Sequence, residues 1–285
     1  MAYNTSEKEF LAKDGTKIFY RSFLPKDSAT KRAIVVQHGF GEHSGRYKNL
    51  VNALEGTGFS IYALDSRGHG KSPGKRGAID HFHLFLDDLD SLIEIAKKES
   101  GKEQVILLGH SMGSNIVASY LEEGTNQKKL KAAVLSAIPF RVKKDLMMEV
   151  KGFAGSVLAK LTPNLTIPAG LDANGLSHDT NVVEAYIKDP LVHGMISCYL
   201  GDLLLNLEEP ILANAEKIHL PIYFFHGKLD AIADYTASED MFAKVSSKDK
   251  TIKVYDGLFH ETMNEKEPAK TQVLNDLKQW LLKQI

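Results

Sequence analysis

Gly109-His110-Ser111-Met112-Gly113 follows directly on the apolar run Val105-Ile106-Leu107-Leu108. A serine between two glycines, entered from a strand and left by a helix, is the pattern of a nucleophile elbow. The hydroxyl has to stand clear of the sheet on a very tight turn. A side chain at either flanking glycine would strike the neighbouring strand or helix. After the turn, Ser114-Asn115-Ile116-Val117-Ala118-Ser119-Tyr120-Leu121 carries apolar residues at helical spacing. A helix that starts at the serine points its N-terminal dipole at any anion formed there. The plainer alternative is an ordinary glycine-rich turn between strand and helix, so the choice rests on partners for the serine.

On a sheet of this kind the chain order runs nucleophile, acid, histidine. Of eleven histidines, only His260 lies beyond Asp230. His260 follows the run Thr251–Tyr255, and Asp230 follows Ile222–Phe225. Both therefore come to the carboxyl edge of the sheet, beside the elbow. The rival acid Asp234 suits a helix N-cap, and Asp256 is too close to its own strand to reach the far side of the histidine. Ser111, Asp230 and His260 are thus the candidate catalytic residues. His260 would take the Ser111 proton and return it to a leaving alcohol, while Asp230 fixes the imidazole tautomer. The oxyanion formed on an acyl carbonyl needs donors set in advance. The backbone N–H of Met112 is one, and the N–H of Phe40 in His38-Gly39-Phe40-Gly41 is the other, each worth about 3–4 kcal/mol of barrier. His38, His110 and His226 are assigned to packing or support. With a histidine base, activity is expected to rise with a midpoint near an ordinary imidazole pKa, about 6.5.

The elements that must position these groups follow from the pattern. Phe10–Ala12 and Lys17–Phe23 flank the hairpin signal Asp14-Gly15. Strand-like runs follow at Ala33–Val36, Phe59–Leu64, Val105–Leu108, Ala132–Leu135, Ile222–Phe225 and Thr251–Tyr255. Helical patterns fall between them, near 47–54, 82–98, 114–122, 235–244 and 268–282. This alternation predicts a mainly parallel, doubly wound α/β sheet opened by an antiparallel hairpin. From about Pro139 to Ala215 no strand-like run occurs. Leu146, Val150, Phe153, Val157 and Leu161 share helical spacing, as do Ile196, Leu200, Leu203 and Leu207. The expectation is a helical cap over 140–215, inserted between sheet strands six and seven, on a core formed by 1–139 and 216–285. Met147, Met148, Phe153 and Leu158 are the residues expected to line an acyl-chain entrance, where pliable methionines suit lipid.

Bulk properties narrow the field. The 285 residues suit one large domain or one domain with an insertion, and a hydrophobic fraction of 43% with 25% charged residues is ordinary for a globular chain. A formal net charge of −1 and the absence of a basic, aromatic-interleaved cluster argue against a nucleic-acid partner. Cys198 is the single cysteine, so neither an intrachain disulfide nor a thiolate metal site is expected. His81 and His83 fall on different faces of a helix and do not suggest a metal site. Gly68-His69-Gly70-Lys71-Ser72 lacks the spacing of a phosphate loop. No cofactor is implied. The first residues lack a basic, then apolar, leader, and no apolar run approaches the roughly 20 residues of a bilayer span. A cytoplasmic protein is expected, with transient membrane-surface contact through the cap left open, as is the oligomeric state.

Several segments together resemble the monoacylglycerol lipases. These are His38-Gly39-Phe40-Gly41-Glu42-His43-Ser44-Gly45-Arg46-Tyr47, Asp65-Ser66-Arg67-Gly68-His69-Gly70-Lys71-Ser72, the elbow, Asp189-Pro190-Leu191-Val192, His226-Gly227-Lys228-Leu229-Asp230 and Gly257-Leu258-Phe259-His260. The resemblance implies an α/β-hydrolase fold with an eight-stranded sheet and a cap between strands six and seven. It implies a serine hydrolase for monoacylglycerols, lysophospholipids and related single-chain esters, with Ser111, Asp230 and His260 as its triad. It also implies that Glu42, Arg46 and Tyr186 hold the polar head of the substrate. A structural ion pair of Glu42 with Arg46 beneath the loop is the alternative. Two positions depart from the pattern: Phe40 replaces a small residue, and Met263 stands where a histidine is usual near the glycerol. The alternative activities are a lysophospholipase or a general medium-chain carboxylesterase. An aminopeptidase would need an acidic pair for an α-amine. A non-catalytic ligand receptor on this fold would be expected to lack a triad member.

Overall fold

Val105 and Leu107 pack into one apolar cluster and Ile106 and Leu108 into another, so this strand is buried on both faces. Successive side chains of a strand point to opposite faces, and a strand with two apolar faces needs helices on each side. The computed structural model, which describes residues 3–26, 29–142 and 158–285, builds this arrangement around one eight-stranded sheet. In chain order its strands are β1 (Tyr3–Leu11), β2 (Lys17–Pro25), β3 (Arg32–Gln37), β4 (Phe59–Leu64), β5 (Val105–His110), β6 (Leu130–Ser136), β9 (Ile222–Gly227) and β10 (Lys250–Tyr255). They lie side by side as β1-β2-β4-β3-β5-β6-β9-β10. β1 and β2 form an antiparallel hairpin, β2 pairs antiparallel with β4, and every later neighbour pair is parallel. The hairpin is longer than the apolar signal predicts. β1 begins at Tyr3, and five of the six residues Asn4–Glu9 are exposed on this edge strand, so no apolar alternation marks them.

Helix α1 (Lys48–Ala53) and the last helix, α8 (Ala269–Leu282), cover one face through Leu50, Val51, Val273, Leu277 and Trp280. On the other face α2 (His83–Ser100) and α3 (Met112–Glu122) bring Phe85, Leu89, Ile116 and Val117, and α7 (Thr236–Lys244) brings Met241. The parallel order puts the carboxyl ends of β3, β5, β6, β9 and β10 along one edge, where the loops after β3, β5, β9 and β10 carry Phe40, Ser111, Asp230 and His260.

Among the described residues, those between β6 and β9 contribute no strand to the main sheet. Residues 158–161 are helical. They are followed by β7 (Thr166–Pro168), α4 (Thr180–Lys188), β8 (Met195–Ser197), α5 (Cys198–Leu205) and α6 (Glu208–Asn214). β7 and β8 pair antiparallel, which corrects the expectation that this stretch lacks strands. Each is three residues long, too short for a period-2 signature, and β7 ends on Pro168 at an edge. Ile196, grouped with a helical row by its spacing, sits on β8, while Leu200 and Leu203 lie on α5. The helical row from Leu146 to Val157 lies outside the described residues.

Candidate active site

The turn after β5 is strained at one residue. Ser111 holds φ 53° and ψ −125° and precedes the first residue of α3. A non-glycine residue there costs on the order of 1–3 kcal/mol and persists only where its surroundings force it. The surroundings are close-packed. A Cβ on Gly109 would lie 2.5 Å from the Gly113 carbonyl oxygen, and one on Gly113 would lie 2.1 Å from that of Gln37 at the end of β3. Both glycines are therefore required by close approach, while the strain itself rests on the serine. The Ser111 N–H donates to the Ser136 carbonyl at 2.9 Å, tying the elbow to the end of β6.

Asp230 and His260 meet at the same edge. His260 Nδ1–H donates to Asp230 Oδ2 at 2.6 Å, and both side chains are buried. Asp230 Oδ1 accepts from the N–H groups of Ile232 and Ala233 at 2.8 and 2.9 Å. Burial alone would raise the Asp230 pKa. The His260 charge and the hydrogen bonds from His226 and His260 outweigh it and hold the carboxyl well below the usual carboxylate range. Burial likewise works against the His260 imidazolium, and the adjacent Asp230 carboxylate overcomes it, so the pKa lies above that of an ordinary histidine. His260 Nε2 is left facing the cleft that Ser111 also lines. The Ser111 hydroxyl makes no hydrogen bond among the described residues. Contacts of this kind often tighten only when a substrate is held. The rival acids are occupied elsewhere: Asp234 Oδ1 accepts from the Thr236 N–H at 2.9 Å at the start of α7, and exposed Asp256 pairs with Lys228 at 2.8 Å.

The loop after β3 is braced from below. Glu42 Oε1 accepts from the Gly39 N–H at 2.8 Å and from the Tyr47 hydroxyl at 2.9 Å, and Oε2 accepts from Arg46 at 2.9 Å. Burial raises the Glu42 pKa, and Arg46, the neighbouring His110 and His38 and the Gly39 N–H together more than reverse the effect, so the group is ionised. Its oxygens are engaged by its own chain, as the structural ion-pair alternative anticipates, although its side chain still borders the cleft. Arg46 also makes a two-pronged pair with Glu261 and lies 4.7 Å from the centre of the Tyr186 ring on α4. The backbone N–H groups of Phe40 and Met112 donate to no protein acceptor among the described residues, and both residues line the cleft. His38 is a neutral support: Nδ1–H donates to the Gly39 carbonyl at 2.7 Å, and Nε2 accepts from the Ser66 N–H at 2.8 Å. His110 pairs with the Ser136 hydroxyl at 3.1 Å, and burial, with the neighbouring His260, pushes its pKa down to about 4.

The cleft, together with the open solvent at its mouth, spans about 1020 Å³. Ser111, His260 and Met112 lie on its wall, with Glu42, Arg46 and Tyr186 beside them. Most of the rest is apolar, from Leu171, Leu176, Ile196, Leu204, Leu205 and Ile232. Leu158, expected at an acyl-chain entrance, is not on this wall and is 41% exposed. An apolar side chain does not by itself say which surface it faces. Met147, Met148 and Phe153 lie outside the described residues. Spacing also gave no signal for Glu261, whose bond to Arg46 joins the His260 loop to the β3 loop. Among the described residues no cluster of three or more His, Cys, Asp or Glu could hold a metal ion, and no helix is long and apolar enough to cross a membrane.

Comparison with known proteins adds a family. Residues 28–267 match the family model described as "Serine aminopeptidase, S33". A monoacylglycerol lipase of Mycolicibacterium smegmatis is 34% identical over 97% of each chain. The Homo sapiens monoglyceride lipase is 30% identical over 94% of this chain and 88% of its own. Among solved structures, the Paleococcus ferrophilus monoacylglycerol lipase superposes with a TM-score of 0.81 at 32% identity over all of both chains. A soluble variant of the Saccharomyces cerevisiae monoglyceride lipase, in complex with a substrate analog, gives 0.88 at 25% identity over 100% of this chain and 96% of its own.

Proposed function

The chain belongs to the serine aminopeptidase S33 family of α/β-hydrolases, among its monoacylglycerol lipase relatives, and from that premise we propose that it hydrolyses esters of single-chain lipids, monoacylglycerols foremost, through an acyl-enzyme on Ser111. The observation that carries the reading is the cleft. One apolar trough runs to a serine and an imidazole, with a polar end formed by Arg46 and Tyr186. His260 Nδ1–H is held by Asp230, so Nε2 carries the lone pair that takes the Ser111 proton. The serine oxygen attacks the ester carbonyl, and the N–H groups of Phe40 and Met112 receive the oxyanion. His260 then protonates the leaving glycerol, and water, deprotonated by the same imidazole, releases the fatty acid. Arg46 and Tyr186 hold the alcohol end, and Glu42 acts there through the loop it braces. We assign 140–215 as a cap over a core of 1–139 and 216–285. The exposed Leu161 and Leu165 give that cap an apolar surface for transient contact with a lipid aggregate.

A peptidase reading is less well served. An α-ammonium needs an unpaired carboxylate, yet Glu42 and Glu261 are both paired with Arg46. Asp172, also on the cleft wall, accepts from the Asn174 N–H to cap its own turn. A broader carboxylesterase is the second reading, and Met263 favours it. Buried beside Arg46 and Glu261, this thioether offers no strong hydrogen bond to a glycerol hydroxyl.

A panel of esters varying acyl length and head group separately tests the reading. Burying each methylene contributes about 0.8 kcal/mol, so kcat/KM is expected to rise up to about fourfold per methylene from butanoyl to decanoyl glycerol. Faster turnover of acetyl than of decanoyl esters would sink the lipid assignment, and indifference to the head group would favour the carboxylesterase. Activity on a soluble ester is also expected to rise with pH, because only neutral His260 accepts the proton. Asp230 raises the His260 pKa, so the midpoint of kcat/KM is expected above about 6.5, higher than composition alone suggests. A midpoint at or below that value, or a flat profile between about pH 5 and 8, would contradict a carboxylate-held histidine base.

A further inference from the structure

Behind His260, two loops far apart in sequence converge on one carboxylate. Glu265 is 1% exposed and sits five residues after the imidazole. Its Oε1 accepts from the Phe259 N–H at 2.8 Å and from His178 Nδ1 at 3.0 Å. Its Oε2 accepts from the His178 N–H at 3.0 Å, from the Lys266 N–H at 3.2 Å and from the Ser177 hydroxyl at 3.5 Å. Phe259 immediately precedes His260, and the His178 ring stacks on the Phe259 ring with centres 3.6 Å apart. Two backbone bonds continue the contact: Glu261 N–H to the Leu176 carbonyl at 2.8 Å, and His260 N–H to the Gly175 carbonyl at 3.4 Å. Residues 175–178 belong to the insertion between β6 and β9, and Leu176 lines the cleft.

We propose that Glu265 is a positioning residue that fixes the His260 backbone by binding Phe259 N–H on one side and residues 177–178 on the other. The proposal rests on the reading of His260 as the base. Nothing else in the described structure ties the Phe259 N–H, and five donors surround the carboxylate. The four N–H groups each need an acceptor, while the Ser177 hydroxyl has a nearer one in the Asn264 carbonyl at 2.9 Å. A glutamine would turn its NH₂ toward one set of N–H groups and leave that side unbound. The clamp also makes the 175–178 segment part of the His260 support, so displacing that part of the insertion displaces the base.

Glu265→Gln in the full chain tests this with two readouts. The first is the low-field proton resonance of an imidazole N–H held by a carboxylate, here His260 Nδ1–H on Asp230. The second is steady-state hydrolysis of decanoyl glycerol. Misplacing a catalytic group by about an ångström costs up to about 100-fold, so kcat is expected to fall about 10- to 100-fold. KM should stay within about twofold, because the cleft wall is intact. The low-field resonance is expected to broaden or move upfield. An unshifted resonance, with kcat within about twofold of the parent, would overturn the proposal. If that variant does not fold, His178→Phe keeps a ring against Phe259 and deletes one donor to Glu265. Its expected change has the same sign and is smaller, and no change in resonance or kcat would overturn the proposal there too. A parent protein with no such resonance at all would instead overturn the His260–Asp230 assignment, and this proposal with it.

Discussion

Ser111→Ala is expected to lower kcat on decanoyl glycerol by about 10⁵- to 10⁶-fold and to abolish labelling by a fluorophosphonate, with an unchanged melting temperature. The loss is large because the residues act as a unit. Without the oxygen, His260 has no proton to take, and what survives is binding plus the oxyanion donors, typically worth about 10³- to 10⁴-fold over water. Stability is expected to hold because alanine keeps the Cβ. Position 111 stays at φ 53° with either side chain, and the close approaches of Gly109 and Gly113 are untouched. The measurement is mass-spectrometric counting of covalent adducts in parent and variant, beside calorimetry of both. A variant that still labels stoichiometrically would place the nucleophile elsewhere. A folded parent that refuses the reagent would point to a ligand receptor on a hydrolase fold.

The elbow is legible in the chain because its requirement is steric and local. A strand, two glycines four residues apart and a serine between them leave one geometry, and the clashes that a Cβ would meet at 109 and 113 are the physical content of the motif. Asp230 and His260 are legible for a different reason. Parallel strands deliver their following loops to one edge, so chain order limits the partners to a few residues. The insertion is less readable. β7 and β8 are too short to show a period, and the cleft wall from Leu171 to Leu205 is assembled from a turn, a strand and two helices that share no common spacing. Leu158 shows the limit of apolar type as a guide to a cavity wall, since its own side chain is 41% exposed. Glu261 and Glu265 look like loop charges in Glu261-Thr262-Met263-Asn264-Glu265. Only the fold reveals that both are buried, one against Arg46 and the other against residues 177–178. His260 differs from an unperturbed imidazole because of Asp230, a partner that composition cannot supply.

Asp230→Asn is expected to lower kcat by about 10⁴-fold while leaving KM nearly unchanged, and to destabilise the fold by about 1–3 kcal/mol. The reason is a count of donors. Asp230 Oδ1 takes two backbone N–H groups, and Oδ2 takes His260 Nδ1–H at 2.6 Å and His226 Nε2–H at 2.9 Å. His226 is itself fixed, because its Nδ1 meets the Ser238 hydroxyl at 2.8 Å inside the core, so it presents a proton to the carboxylate and has no room to turn away. An asparagine that keeps its oxygen on the backbone amides must aim its NH₂ at the two imidazoles. His260 then accepts at Nδ1 and carries its proton on Nε2, where it faces Ser111 as a donor and has no lone pair for the serine proton. The opposite amide orientation sets the NH₂ against the Ile232 and Ala233 N–H groups and leaves buried donors unpaired, which is where the stability loss arises. Slow fluorophosphonate labelling should survive, because Ser111 and the oxyanion N–H groups remain. That separates this variant from Ser111→Ala. Single-turnover labelling rates and chemical denaturation of the same preparation make the measurement. A kcat within about tenfold of the parent would mean that His260 does not depend on Asp230 for its tautomer.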